Sequence, residues 1–188
     1  EILRKYSEGL IGLSGCMAGE ISRLIERKKI DEAEKVAEEY EEIFGKGNFF
    51  IEIGHHPNIN NYKEIKEELI RLAKKLNIPL VATQDIHYLR PDDAEAQDFL
   101  VAIQTNKKIT DADRLSMRND DFSMRSGEEM ENLFKDIPEA IENTALIAEK
   151  CSLELKLGKW VVPKLDIPEK LTAEQYLENL TKEGYKKK

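Results

Sequence analysis

Ile78-Pro79-Leu80-Val81-Ala82-Thr83-Gln84-Asp85-Ile86-His87-Tyr88 is a short apolar run that ends in Asp-x-His. Apolar and β-branched residues bounded by a proline and by polar residues predict a strand buried on both faces, as in a parallel sheet. Side chains two apart on a strand share a face, so Asp85 and His87 are expected to converge just past its carboxyl end. That rim is where α/β folds bind their ligands. A carboxylate beside an imidazole is a usual pair of metal ligands and equally a proton-handling pair. The plainer alternative is an aspartate that caps a turn and a histidine that packs locally.

Upstream, Leu10-Ile11-Gly12-Leu13-Ser14 leads into Gly15-Cys16-Met17-Ala18-Gly19-Glu20, which reads as strand, loop and helix start. Cys16 thus also falls at a strand's carboxyl end, either as small core filling or as a ligand. A helical pattern from Ile21 to Lys28 places Ile21, Leu24 and Ile25 on one face. Asp31 is the expected N-cap of the next helix, where Ala33, Val36, Ala37, Tyr40, Ile43 and Phe44 recur at helical spacing until Gly45. Phe49-Phe50-Ile51-Glu52-Ile53 is a third strand, followed by Gly54-His55-His56-Pro57. Adjacent side chains there diverge, so at most one of His55 and His56 is expected to face a site. Tyr62, Ile65, Leu69, Leu72, Ala73 and Leu76 form another apolar helix face, closed by Asn77. Strand, helices, strand, helix, strand in that order predicts parallel strands joined by crossovers.

From Pro91 a helix is expected to carry Ala94, Phe99, Leu100 and Ile103, with Asp92 and Asp93 in its first turn. Lys107, Lys108, Arg114, Arg118 and Arg125 then interleave with Asp111, Asp113, Asp120 and Asp121. This stretch reads as a solvated connecting loop, with a phosphate-contacting patch as the alternative. Ser126-Gly127-Glu128-Glu129 is a capping box for a short helix through Phe134. Pro138 opens another, expected to bury Ile141, Ala145, Ala148 and Cys151. Leu153, Leu155 and Leu157 alternate as in a half-buried strand. Trp160 to Pro168 reads as an extended linker, and Thr172-Ala173-Glu174-Gln175 caps a last helix. A domain boundary is placed near residue 160.

The 188 residues suffice for one well-buried domain but fall short of the roughly 250 of a complete eight-stranded α/β barrel. With 40% hydrophobic and 35% charged residues the chain is globular rather than disordered. A net charge of −8 excludes a global positive field that would draw it onto nucleic acid or an anionic membrane. No run of 18 apolar residues and no leader pattern is present, which predicts a cytoplasmic protein without a membrane partner. Cys16 and Cys151 lie far apart and outside any CxxC spacing, consistent with two independent thiols. The first residue is Glu1, and the last helical pattern runs into Lys186-Lys187-Lys188, so a piece of a longer polypeptide is expected.

Together, Leu10 to Ile21, Phe50-Ile51-Glu52-Ile53 and Pro79 to Leu89 resemble the bacterial DNA polymerase III alpha-subunit family, in the second half of its N-terminal polymerase and histidinol phosphatase (PHP) domain. Phe122-Ser123-Met124-Arg125-Ser126-Gly127-Glu128-Glu129-Met130 and Pro138 to Thr144 are similar to the segment leaving that domain. Trp160-Val161-Val162-Pro163 and Thr172 to Leu177 resemble the approach to the polymerase palm. The resemblance implies an α/β fold, a partial (β/α) barrel of PHP type. The parent is a distorted seven-stranded barrel whose N-terminal strands would lie upstream of Glu1, and a helical and extended connector follows. It divides the chain into residues 1–105, the C-terminal half of the PHP domain; 106–160, its remainder and connector; and 161–188, the linker and first helix toward the palm.

The resemblance further implies that Cys16, Asp85 and His87 are metal ligands, with His55, His56 and Glu20 as near-site residues and no catalytic residue assigned. The implied cofactor is a divalent metal cluster of zinc, manganese, magnesium or iron, used in the longer protein for phosphoester cleavage and 3′→5′ proofreading. The alternative is a scaffold that has lost ligands and docks a separate proofreading exonuclease; a free-standing phosphoesterase would leave the run from Ser126 to Lys188 without a purpose. The implied partners are DNA and dNTPs, through the rest of the polymerase, together with the exonuclease and the sliding clamp. Two departures stand out. The family's remaining ligands precede Glu1, and Gly54-His55-His56-Pro57 replaces its usual Gln- or Asn-containing turn. The incomplete barrel is expected to aggregate or to be partly disordered in isolation.

Overall fold

A computed structural model describes residues 1–160, 162–163, 165–168 and 170–187. Val161, inside the Trp160 to Pro163 motif, and Lys164, Glu169 and Lys188 lie outside the described residues. The chain divides into two units, Glu1–Cys151 and Ser152–Lys188.

The first unit opens with α1 (Ile2–Tyr6), β1 (Gly12–Leu13), α2 (Glu20–Glu26), α3 (Ile30–Phe44) and β2 (Phe49–Ile53). It continues with α4 (Tyr62–Leu76), β3 (Leu80–Ala82), a single 3-10 turn at Pro91–Asp93, α5 (Ala94–Gln104), α6 (Gly127–Leu133) and α7 (Pro138–Lys150). The strands form one parallel sheet in the order β1-β2-β3, with Gly12 opposite Phe49 and Ile53 opposite Ala82. β2 is the middle strand and its apolar residues are buried on both faces, as a helix-covered parallel strand requires. Its Phe49, Ile51 and Ile53 pack in one core with Ile21 and Ile25 of α2, Ala33 and Ala37 of α3, and Ile65, Leu69 and Leu72 of α4. The two alanines let α3 approach the sheet closely. Gly12 serves the same end, since a Cβ there would stand 2.6 Å from the Phe44 ring.

The two edges of the sheet differ. α7 packs against β3, and the Asn143 amide Nδ2 donates to the Leu80 carbonyl at 2.7 Å, occupying an acceptor on that edge. Among the described residues β1 pairs only with β2, so its other edge is open.

The helix ends follow local chemistry. α4 stops at Asn77 in the left-handed region (φ 55°), whose amide bonds the Ala73 carbonyl. α6 starts with a capping box: Ser126 Oγ accepts from the Glu129 amide, and the Glu129 carboxylate accepts from the Ser126 amide. In the second unit α8 (Ala173–Lys186) begins with the same device at Thr172 and Gln175.

Several expectations are corrected. Asp31 lies within the first turn of α3, whose N-cap is Lys29. α5 buries Asp98, in the ion pair described below, with Val101 and Ala102, and exposes Phe99, Leu100 and Ile103. α7 turns Ala140 inward and leaves Ala145, Ala148 and Cys151 exposed, so Cys151 is not core. Leu153, Leu155 and Leu157 form no strand and are 83%, 70% and 86% exposed; alternation alone does not make a strand without a neighbour to pair with.

The stretch after Thr105 is more than a solvated loop. Arg114 reaches back to Asp98 with two hydrogen bonds, Nη1 to Oδ1 at 2.6 Å and Nη2 to Oδ2 at 2.7 Å, while Ser116 Oγ donates to the same carboxylate at 2.8 Å. Asp98 is 1% and Arg114 11% exposed. The hydrogen bonds from Arg114 hold the Asp98 carboxyl below the usual aspartate range despite its burial. Further on, His87 N donates to Phe122 O and Met124 N to Tyr88 O, a parallel bridge that lays residues 122–124 beside the Asp-x-His segment.

Candidate functional site

β3 ends at Ala82, so Asp85 and His87 sit on an irregular segment rather than on a pleated strand. They meet nonetheless: His87 Nε2 lies 3.2 Å from Asp85 Oδ1, and both side chains are about one-third exposed. The segment is held in place by Thr83 N donating to Ile53 O, and by Gln84 Nε2 donating to the carbonyls of Asp121 and Ser123. The His87 ring also meets the Phe122 ring edge-on at 5.6 Å.

The carboxyl ends of the three strands surround a cavity of about 20 Å³, room for one water-sized particle. Its walls include Cys16 from the turn after β1, Glu52, Gly54 and His56 from the end of β2 and beyond, Tyr62 from α4, and Thr83 and Asp85 after β3. Glu52 is pinned at both ends: its amide donates to Ser14 Oγ at 2.9 Å, and its carboxylate accepts from Thr83 Oγ1 at 2.7 Å. Tyr62 Oη accepts from the Gly54 amide at 2.6 Å, and burial pushes its phenol well above the usual tyrosine range.

His55 and His56 diverge. His56 is 5% exposed, stacked on Phe122 at 4.9 Å and edge-on to Tyr62 at 5.2 Å. Burial lowers its imidazole below the ordinary histidine value, partly countered by Asp120 and Asp85. His55 is only partly buried, and burial together with the cations of Lys66 and Arg125 lowers it as well. Glu20 starts α2, accepts from Tyr40 Oη at 2.8 Å and is absent from the cavity wall. His87 touches Asp85 from outside that wall.

Cys16 and Asp85 therefore share a cavity, with Glu52 and His56 beside them. Sequence reasoning passed over Glu52, Tyr62, Asp120 and Phe122. Only the position of Glu52 next to a strand end could have flagged one of them, since Asp120 and Phe122 arrive from more than 30 residues away. For a divalent ion the donor set fits in kind: thiol, carboxylate and imidazole line one ion-sized space. The set is incomplete, however. Among the described residues no three His, Cys, Asp or Glu side chains are drawn together into a ready-made cage.

Parallel strands that deliver polar side chains to their carboxyl ends define an α/β domain of the kind that binds its ligands at that rim. In agreement with that class, residues 1–56 match the family model of the PHP domain. The relatives are more particular. The chain is 40% identical over 186 residues to the DNA polymerase III subunit alpha of Borreliella burgdorferi, covering 98% of this chain and 16% of that protein. It is 38% identical over 185 residues to that of Treponema pallidum, again 98% and 16%, and 37% identical over 187 residues to that of Thermus aquaticus, 96% and 15%. Over nearly its whole length the chain is thus homologous to a segment of DNA polymerase III alpha subunits, and it spans about a sixth of the length of the curated relatives it matches.

Proposed function

We propose that this chain is the PHP-derived segment of a replicative DNA polymerase subunit, and that its strand-end cavity is one side of a divalent-metal phosphoesterase site serving 3′→5′ proofreading. The observation that carries the reading is the meeting of Cys16 and Asp85, from different strands, in one ion-sized cavity. Cys16 and Asp85 would bind the ion, and His87 would either join them or steady Asp85 through the 3.2 Å contact. When bound, a divalent ion supplies polarisation of a phosphoester oxygen and a water acidic enough to attack phosphorus. The residues of this chain hold those donors in register: Ser14 and Thr83 fix the strand ends, Tyr62 and Phe122 hold the His56 ring, and Gln84 ties the Asp-x-His segment to residues 121–123.

The open edge of β1, against the covered edge of β3, supports a partial barrel whose missing strands join at β1 and bring the remaining ligands. On this reading residues 1–105 and 106–160 belong to the PHP domain and its connector, and 161–188 lead toward the palm. DNA, dNTPs, a sliding clamp and a proofreading exonuclease are then partners of the longer polypeptide, which acts in the cytoplasm. No helix among the described residues is long and apolar enough to cross a membrane.

A second reading is favoured by the lack of a ready-made cage among the described residues: a scaffold that has given up hydrolysis and docks a separate exonuclease. Exonuclease assay of the full-length polypeptide and its His87→Ala variant separates the two. The first reading expects metal-dependent shortening of primer 3′ ends that His87→Ala abolishes. Equal digestion by both proteins takes this site out of the reaction, and none by the parent leaves the scaffold.

A further inference from the structure

His56 lies outside the Asp-x-His pair and the cysteine, yet it lines the same cavity. Its Nδ1 is buried without a hydrogen-bond partner and faces Asp120 Oδ2 at 3.8 Å. A buried polar atom left in this state calls for an explanation, since the large majority are satisfied. Asp120 is itself fixed, accepting from the Asn58 amide at 3.1 Å and the Asp121 amide at 2.7 Å. Its carboxylate is thus held still while the ring it faces stops about 1 Å short of hydrogen-bonding distance. The opposite edge of the ring lies over Gly54, where a Cβ would stand 3.2 Å from both Cδ2 and Nε2. Glycine keeps that edge clear, and His56 lines the same cavity as Cys16 and Asp85.

A histidine that ligates a metal through one nitrogen almost always donates its other N–H to a carboxylate or carbonyl, which fixes tautomer and orientation. Phe122 and Tyr62 already restrict the ring to one plane. We infer that His56 is a further ligand, through Nε2, for a divalent ion in the strand-end cavity, and that Asp120 is the positioning residue that accepts its Nδ1–H. A ring serving only as an aromatic spacer would not need the facing carboxylate. The inference rests on the metal-site reading of the previous subsection and extends it to a histidine and an aspartate that the Asp-x-His motif does not contain.

The test is zinc affinity of the full-length polypeptide, measured by competition with a chromophoric chelator, together with the visible spectrum of the cobalt(II) form. His56→Gln is expected to weaken zinc binding by about 10- to 100-fold and Asp120→Asn by about 10-fold, each with an altered cobalt spectrum. A merely structural histidine would shift the melting temperature and leave the cobalt spectrum alone. If Cys16→Ser loses the ion while both variants keep parental affinity and spectrum, the inference is overturned and the metal site stands without it. A parent that binds no ion overturns both. Should His56→Gln fail to fold, Asp120→Asn decides by the same two readouts.

Discussion

Gly54 is where packing and site chemistry meet most tightly, and Gly54→Ala is the sharpest test of the geometry. The new methyl would stand 2.8 Å from Tyr62 Oη and 3.2 Å from two atoms of the His56 ring, all in buried surroundings. Forcing a methyl into a packed core costs about 1–3 kcal/mol. Moving the Tyr62 hydroxyl also lengthens its 2.6 Å hydrogen bond from the Gly54 amide, and a buried group left unsatisfied costs about 1–3 kcal/mol more. A total near 3 kcal/mol corresponds to a fall of roughly 1–2 M in urea midpoint for a domain of this size. The assay is urea unfolding followed by circular dichroism. In a Tyr62→Phe background the 2.8 Å contact is gone, so the same substitution should cost only about 1 kcal/mol, a coupling near 2 kcal/mol where independent sites agree within about 0.5 kcal/mol. Additive effects would refute the reasoning, because Gly54 would then be needed for something other than room beneath Tyr62 and His56.

Three further outcomes follow from the same structure. Asp98→Ala strips the partner from a buried guanidinium and should destabilise the first unit by about 3–5 kcal/mol, read by the same urea titration. Because Arg114 holds the folded Asp98 pKa below its unfolded value of about 3.9, its contribution is fully present above that value and is lost as pH falls through the folded pKa. Acid titration of Asp98→Asn should therefore show a shallower loss of stability below about pH 4, and a curve parallel to the parent's would contradict the assignment. Gly12→Ala should cost about 1–3 kcal/mol through the Phe44 ring and be relieved in a Phe44→Leu background; an unrelieved loss would point to the strand backbone instead.

The parts legible in the sequence were those where one residue's environment is set by near neighbours. Phe49–Ile53 has buried faces on both sides and is apolar but for Glu52, and the spacing from Tyr62 to Leu76 with Asn77 behind it specifies α4 and its end. Capping boxes at Ser126 and Thr172 are local chemistry and were readable as such. The faces of α5 and α7 were not, because they are chosen by distant partners. Arg114 pulls Asp98 inward against the pull of Phe99, Leu100 and Ile103, and the β3 edge draws Asn143 and Ala140 inward rather than Ala145 and Ala148.

The site divides in the same way. Cys16 and Asp85 could be placed at strand ends from hydrophobic patterning alone. Asp120 and Phe122 lie in a charged stretch with no period, and long-range contacts, the bridge of Tyr88 to Ser123 and the bonds from Asn58 and Gln84, bring them to His56.

The central claim is that Cys16 and Asp85 line one cavity able to hold a divalent ion. Cadmium titration of the full-length polypeptide tests it most directly, through the ultraviolet thiolate-to-cadmium charge-transfer band, with Cys151 as an internal control because it lies at the end of α7 outside the cavity wall. The account predicts a saturable band in the parent that disappears in Cys16→Ser, weakens in Asp85→Asn and is unchanged in Cys151→Ser. A band that survives Cys16→Ser, or its absence from the parent, would contradict it.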